Sequence, residues 1–478
     1  MKENIKIRQV KRTAVKSILG CLLCLMILSL QVSAQTADDQ FARPLEEVLL
    51  EIEKEFKIDL RYPEKLVEGK TLPYADWRIR KYSLEETLSN VLTPFDLKFN
   101  KDSETKYEIK SFEYHRRPVE QAERQLEYLS SLYTDKASLE ERRKELKECM
   151  QTALGLNPMP EKPDSKPIIT NKRKMDGYTV ENVAIETLPG VYVTGSLYRP
   201  VKQAGKSPIV LNPNGHFGDG RYRADMQIRC ATLARMGGIA FSYDLFAWGE
   251  SLLQFKPEDH RRSIAHTIQA LNGMRILDFL TSLKGADPEQ IAVTGGSGGG
   301  SQTMLLSAID DRVKVSVPVV MVSSHMFGGC PCESGMPIHL CGGGTNNAEI
   351  AAMVAPRPQL IISDGKDWTH TVPELEYPFI QKVYGLYDKE ELVKNSHFAG
   401  EGHDYGVSKR MAMYKFLAEH LGLDLSRVQN KEGEIDETKV TIEEYPELYV
   451  FGAEGEKLPK NAIKGISALN KALENAKQ

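Results

Sequence analysis

Residues 291–303, IAVTGGSGGGSQT, set five glycines around a single hydroxyl, that of Ser297. The apolar run Ile291–Thr294 reads as a strand, and the stretch from Gln302 to Ala308 reads as a helix, so the glycines must carry the turn between them. Residues without a Cβ are required where strand and helix pass close together, and a serine at the apex of such a turn occupies a strained backbone position. Gly295-Gly296-Ser297-Gly298-Gly299 fits G-x-S-x-G in the strand–turn–helix setting that a nucleophile elbow requires. A phosphate-binding loop fits less well. No lysine follows the glycines until Lys314, and a dinucleotide fingerprint read from Gly296 has Ser301 in its last glycine place.

The flanking sequence predicts the rest of the fold. Strand-like runs occur at YTVENVAIET, VYVTGSLYRP, SPIVLN, GIAFSYD, VKVSVPVV and PQLIISDG, and helical patterns such as THTIQALNGMRILDFLTSL separate the later ones. Strands alternating with helices predict a mostly parallel sheet covered on both faces, with chemistry beyond the carboxyl ends of its strands.

A serine nucleophile needs a base and an acid to orient it. After the strand Pro358–Ser363 comes DGKDWT, in which Asp367 is preferred as the acid; Asp364 follows the strand so closely that turn-making explains it. GEGHDYG places His403 in a small-residue loop before the last helix, where a histidine can reach the serine; His397 competes, while His420 and His370 are less well placed. The developing oxyanion needs two donors, and the backbone N–H groups of Gly298 and of His216, in the loop NPNGHFGDG, are the expected pair. No cofactor and no metal are required.

At 478 residues the chain predicts two domains. A net charge of -4 offers no basic surface for nucleic acid. Lys2, Lys6, Arg8, Lys11, Arg12 and Lys16 precede the apolar run ILGCLLCLMILSL and then QVSAQ, which predicts a signal peptide (1–34) cut between Ala34 and Gln35, and an exported protein, periplasmic or secreted. No membrane span is expected. Residues 35–115 read as a small α+β domain: PLEEVLLEIEKEF repeats at helical spacing, IDLRY alternates, and Ser83 with Glu86 predicts a capping box before YSLEETLSNVL. Charged helical sequence followed by NPMPEKPDSKP predicts a connector and linker over 116–165. The catalytic domain is expected over 166–425 and a C-terminal extension over 426–478.

On those three front motifs, residues 35–115 resemble the secretin-and-TonB N-terminal (STN) domain, which implies a docking module for another periplasmic protein. On GVYVTGSLYRP, NPNGHFGDGR, YDLFAWGES, VTGGSGGGSQT, APRPQLIISDGKDWT and GEGHDYG, taken in that order, the larger part resembles the acetyl-xylan-esterase and dienelactone-hydrolase-like branch of the α/β-hydrolases. The resemblance implies an α/β-hydrolase fold and an exported serine esterase acting on ester decorations of polysaccharide. O-acetyl groups are the first expectation and uronate methyl esters the alternative. An inactive binding or signalling partner is the competitor from another class. Glucuronoyl esterases carry arginine directly after the serine, where this chain has Gly298.

Other features bear on the site more weakly. Trp248 and Trp368 are candidates for stacking on a sugar, and Arg261, Arg262 and Lys366 for recognising a carboxylate. Asp244 and Glu250 are read as a structural turn rather than a carboxylate pair for glycoside cleavage. The loop GGCPCESGMPIHLCGGG holds Cys330, Cys332, His339 and Cys341. A thiolate–imidazole metal site is one reading of it; in an exported protein a disulfide is the simpler expectation.

Overall fold

The computed structural model describes residues 42–477, apart from 73, 96, 112–116, 204, 217–218, 327 and 329. The signal peptide and its cleavage point lie outside the described residues. Among those described, no helix is long and apolar enough to cross a membrane. The chain divides into two compact units, Met1–Phe112 and Glu113–Gln478.

In the smaller unit, the helices Leu45–Phe56 and Leu84–Leu92 accompany a three-stranded sheet in which Lys106–Ser111 lies between Asp59–Arg61 and Leu97–Lys101. Leu45, Val48, Leu49 and Ile52 from the first helix and Leu88, Val91 and Leu92 from the second are fully buried, as their helical spacing requires. The expected capping box is half formed. Glu86 N–H donates to Ser83 Oγ at 3.2 Å, but the Ser83 N–H donates to Arg80 O, and the Glu86 carboxylate accepts from Tyr82 instead.

The larger unit is built on nine strands: β1 (Ile168–Lys174), β2 (Tyr178–Leu188), β3 (Val191–Pro200), β4 (Ser207–Pro213), β5 (Ile239–Tyr243), β6 (Ala286–Gly296), β7 (Val315–Val319), β8 (Gln359–Asp364) and β9 (Val393–Phe398). Their spatial order is β9-β8-β7-β6-β4-β5-β3-β2-β1. The block from β9 to β5 is parallel, and β3, β2 and β1 join it antiparallel. Strand alternation sends neighbouring residues to opposite faces. Leu211, Phe241 and Val293 pack with Ile276, Leu277 and Leu280 of the helix Ser263–Ser282. Val210, Ala240 and Ala292 pack on the other face with Leu233 of the helix Ala224–Arg235 and with Met413 and Leu417 of the helix Val407–Leu421. Each of the larger of these side chains contributes about 1.5–3 kcal/mol by leaving water, so the two-sided core fixes the register that brings the strand ends level.

The segment expected as a connector belongs to the larger unit. Its helices Val119–Leu132 and Lys136–Ala153 bury Leu126, Leu129, Leu146 and Met150 in the same cluster as Met304 and Leu305. Arg142 pairs with Glu349 at 3.0 Å, both side chains being buried, and Cys149 is disulfide-bonded to Cys341. The C-terminal stretch also packs on the sheet. Asn182 donates to Glu447 O and Tyr449 O, each at 2.8 Å. Glu250 accepts from Val450 N and Phe451 N while pairing with the buried Arg221, which also faces Asp244. Asp244 and Glu250 thus anchor structure, which accounts for the YDLFAWGES turn.

Candidate active site

Ser297 follows β6 directly and sits at φ 56°, ψ -126°, immediately before the helix Gly298–Ile309. A non-glycine residue holds this strained conformation only where its surroundings over-determine it. Here Ser297 N–H donates to Val319 O at 3.0 Å, and Ser297 O accepts from Gly300 and Ser301. The glycines permit close approach. A Cβ on Gly295 would stand 2.6 Å from both Gly299 O and Pro213 O, so helix, strand and the loop after β4 could not meet if it had one.

Two loops beyond the carboxyl ends of the parallel strands supply the line of side chains that reaches the serine. His403, in the loop after β9, has Nε2 2.9 Å from Ser297 Oγ. Its Nδ1 lies 2.7 Å from Asp367 Oδ2, in the loop after β8. The other Asp367 oxygen accepts from Thr369 N and Oγ1. Burial works to raise the Asp367 pKa, but the hydrogen bonds from His403 and Thr369 outweigh it and hold the carboxyl below its usual range. Asp364 instead faces the buried Lys409 at 3.3 Å. Burial and the neighbouring Asp367 charge push Asp364 up.

The competing histidines are engaged elsewhere: His397 Nδ1 with Ser363 Oγ at 2.9 Å, His370 Nδ1 with Asp367 O at 2.8 Å, and His420 against the Phe416 ring. Trp368 packs on the His403 ring with centroids 4.3 Å apart, and Trp248 packs edge-on against His216 and His260. Lys366 is exposed beside the His403 loop, and Arg261 is half-buried directly after His260.

Gly298 and His216 are brought together, in an arrangement that sequence reasoning did not anticipate. The His216 ring lies over Gly298: a Cβ there would stand 2.6 Å from its Cε1 and 2.8 Å from its Nδ1. An arginine at this position has no room, which gives a physical reason for glycine after the serine. Glu333 was missed altogether. Its Oε1 is 3.1 Å from Ser297 Oγ and 2.9 Å from His216 Nδ1. His260 was missed as well; its Nε2 faces that of His216 at 2.6 Å. Glu333 directly follows Cys332 in the cysteine loop, which drew notice for its thiols and not for a carboxylate, and His260 sits in a short turn with no motif of its own, so only proximity in space reveals either.

The cysteine loop forms a disulfide through one of its three cysteines. Cys341 pairs with Cys149, far outside the loop, while Cys330 and Cys332 are free and buried. His339 Nε2 bonds to Asn347 Oδ1 at 2.9 Å.

The strand order, the elbow and the line of serine, histidine and aspartate define the larger unit as an α/β-hydrolase. Among solved structures the chain is similar to methylesterase BT1017, at 50% identity and a TM-score of 0.72, with 93% of this chain and 100% of that chain covered. The chain belongs to the family of that methylesterase. It is also similar to a glucuronoyl esterase from Solibacter usitatus (15% identity, TM-score 0.43, 60% of this chain and 94% of that one). A further match is an acetyl xylan esterase from Paenibacillus sp. R4 (17% identity, TM-score 0.41, 64% and 100%). No protein-family model and no curated protein matches the chain.

Proposed function

We propose that the larger unit is a serine esterase that removes methyl groups from esterified uronates of a polysaccharide. The observation that carries this is the unbroken hydrogen-bonded line from Asp367 through His403 to Ser297, in a chain half identical to a methylesterase along that protein's whole length. That kinship moves the methyl ester ahead of the O-acetyl group. In polysaccharides a methyl ester requires a carboxylated sugar, and Lys366 and Arg261 offer cationic groups near the site for unesterified neighbours.

In this reading Ser297 Oγ attacks the ester carbonyl while His403 Nε2 takes its proton, and Asp367 holds the imidazole in the tautomer that can accept it. The N–H groups of Gly298 and His216 are the proposed donors to the oxyanion. His403 returns the proton to the departing methoxide, methanol leaves, and the uronyl group stays on Ser297 until water, activated by His403, releases it. Export through the predicted signal peptide and a docking role for the STN-like front unit belong to the same reading.

The test follows methanol and acetate release by wild type and Ser297→Ala on methyl-esterified pectin and acetylated xylan. Methanol release that falls by at least about 10⁴-fold in the variant is expected. Acetate without methanol would replace the methyl ester by the acetyl group. A variant as active as wild type would remove Ser297 from the mechanism. Failure of wild type to react with either polymer, or with a serine-directed fluorophosphonate, would favour an inactive binding partner.

A further inference from the structure

His216, His260, Cys330 and Cys332 turn four ligand atoms toward one point, all within 4.8 Å of one another. They come from three separate loops: the one after β4, the short 3-10 helix Pro257–Arg261, and the segment after β7. The three cysteine-linked spacings are informative. His216 Nε2 is 3.5 Å from Cys330 Sγ and 3.7 Å from Cys332 Sγ, and His260 Nε2 is 3.7 Å from Cys332 Sγ. A tetrahedral zinc ion with ordinary Zn–N and Zn–S bonds separates nitrogen from sulfur by about 3.6 Å.

The histidine contacts point the same way. His216 Nδ1 is bonded to the Glu333 carboxylate at 2.9 Å, and His260 Nδ1 to the carbonyl oxygen of Phe246 at 2.7 Å. Both partners are acceptors, so both Nδ1 atoms carry hydrogen and each ring turns its Nε2 toward the thiols. The two Nε2 atoms face each other at 2.6 Å, a spacing that needs a positive charge at the pair, either a proton carried by one ring or a metal ion, around which two tetrahedral nitrogen ligands stand about 3.3 Å apart. Carboxylate or carbonyl support of the far ring nitrogen is the arrangement that metal-ligating histidines require.

We propose that these four residues form a Cys₂His₂ site for a divalent, thiolate-preferring metal of the zinc class, holding the three loops together beside the serine. Each thiol gives up one proton on binding, so two thiolates balance the doubly charged ion, and the closed site is neutral where it is buried. Nitrogen and sulfur donors in a tetrahedral set favour zinc over calcium, magnesium or manganese. With four protein ligands the site is structural. It would fix the His216 ring over Gly298 and, through His216 Nδ1, the Glu333 carboxylate that reaches Ser297. It would also keep two free thiols of an exported chain from oxidation.

The experiment uses the full chain, purified without chelator, and reads metal and thiols rather than ester cleavage, so it stands apart from the proposed esterase activity. Elemental analysis is expected to find about one zinc per chain. Cys332→Ser and His260→Ala should each lose most of it. Stripping with a strong chelator should expose Cys330 and Cys332 to alkylation and lower Tm, and zinc should reverse both effects. Cobalt(II) loaded into the stripped wild type should show thiolate charge transfer and tetrahedral visible bands, a result that needs no variant to fold. A Cys330–Cys332 disulfide in the isolated protein, failure of stripped wild type to take up zinc, or undiminished zinc in both variants would overturn the proposal.

Discussion

Asp367 Oδ2 lies 2.7 Å from His403 Nδ1, whereas Asp364, three residues earlier, turns to Lys409. Two carboxylates in one short loop therefore have separable roles. Asp367→Asn should lower kcat by about 10⁴-fold, since the amide no longer holds the tautomer that accepts the serine proton. Asp364→Asn should keep kcat within about 10-fold and lower Tm, because it removes one carboxylate from the buried Lys409 ammonium. Steady-state kinetics and thermal melts on both variants check this. Equal loss of kcat in the two would show that the loop acts as a unit.

Gly298→Ala places a methyl group 2.6 Å from Cε1 of the His216 ring, which must shift to admit it. The expected outcome is a fall in kcat/KM of about 100-fold from displacement at the reacting centre, with a stability loss of about 1–3 kcal/mol. Gly400→Ala, in the loop that carries His403, meets nothing within 4 Å and should behave as wild type. Kinetics and denaturant titrations of the pair distinguish steric crowding at Gly298 from a general effect of replacing glycine.

Glu376 is buried and accepts from Ser324 N, Ser324 Oγ and Thr371 Oγ1, with His325 nearby. Burial works to raise its pKa, but His325 and these hydrogen bonds prevail and hold it below the ordinary value. A carboxyl depressed in the folded state contributes stability that is present above its unfolded pKa, about 4.3, and lost as pH falls through the folded value. The Tm gap between wild type and Glu376→Gln should therefore be full at neutral pH and shrink in the acid range. A gap independent of pH would mean that the glutamine loses packing rather than charge.

The Cys149–Cys341 bond closes a loop of 192 residues and ties the helix Lys136–Ala153 to the segment beside the site. Restricting the unfolded chain to that extent is worth on the order of 5 kcal/mol at most. Cys149→Ala, or mild reduction, should lower Tm clearly. An unchanged Tm would assign the helix's attachment to Arg142–Glu349 and apolar packing alone.

Much of the fold was legible because its signals are local. The continuous apolar runs in SPIVLN and GIAFSYD report strands buried on both faces, and the glycines around Ser297 report a turn that admits no Cβ. The order of Ser297, Asp367 and His403 was readable too, because the first two sit just beyond recognisable strands and the third just before a recognisable helix, although the strand Val393–Phe398 ahead of it was not read. Where sequence reasoning fell short, long-range packing was the cause. The connector's charged helices hide a narrow leucine stripe whose partners, Met304 and Leu305, lie more than a hundred residues away.

The amino-acid order by itself determined most of the strands, the elbow and the loops that carry Ser297, Asp367 and His403, since backbone sterics and hydrophobic period act between near neighbours. Only the tertiary structure decided which aspartate meets His403, that Glu333 reaches Ser297, that Cys341 pairs with Cys149, and that Cys330 and Cys332 gather with His216 and His260. Those are meetings of side chains from distant loops, set by where level strand ends deliver them, and no short-range pattern encodes them.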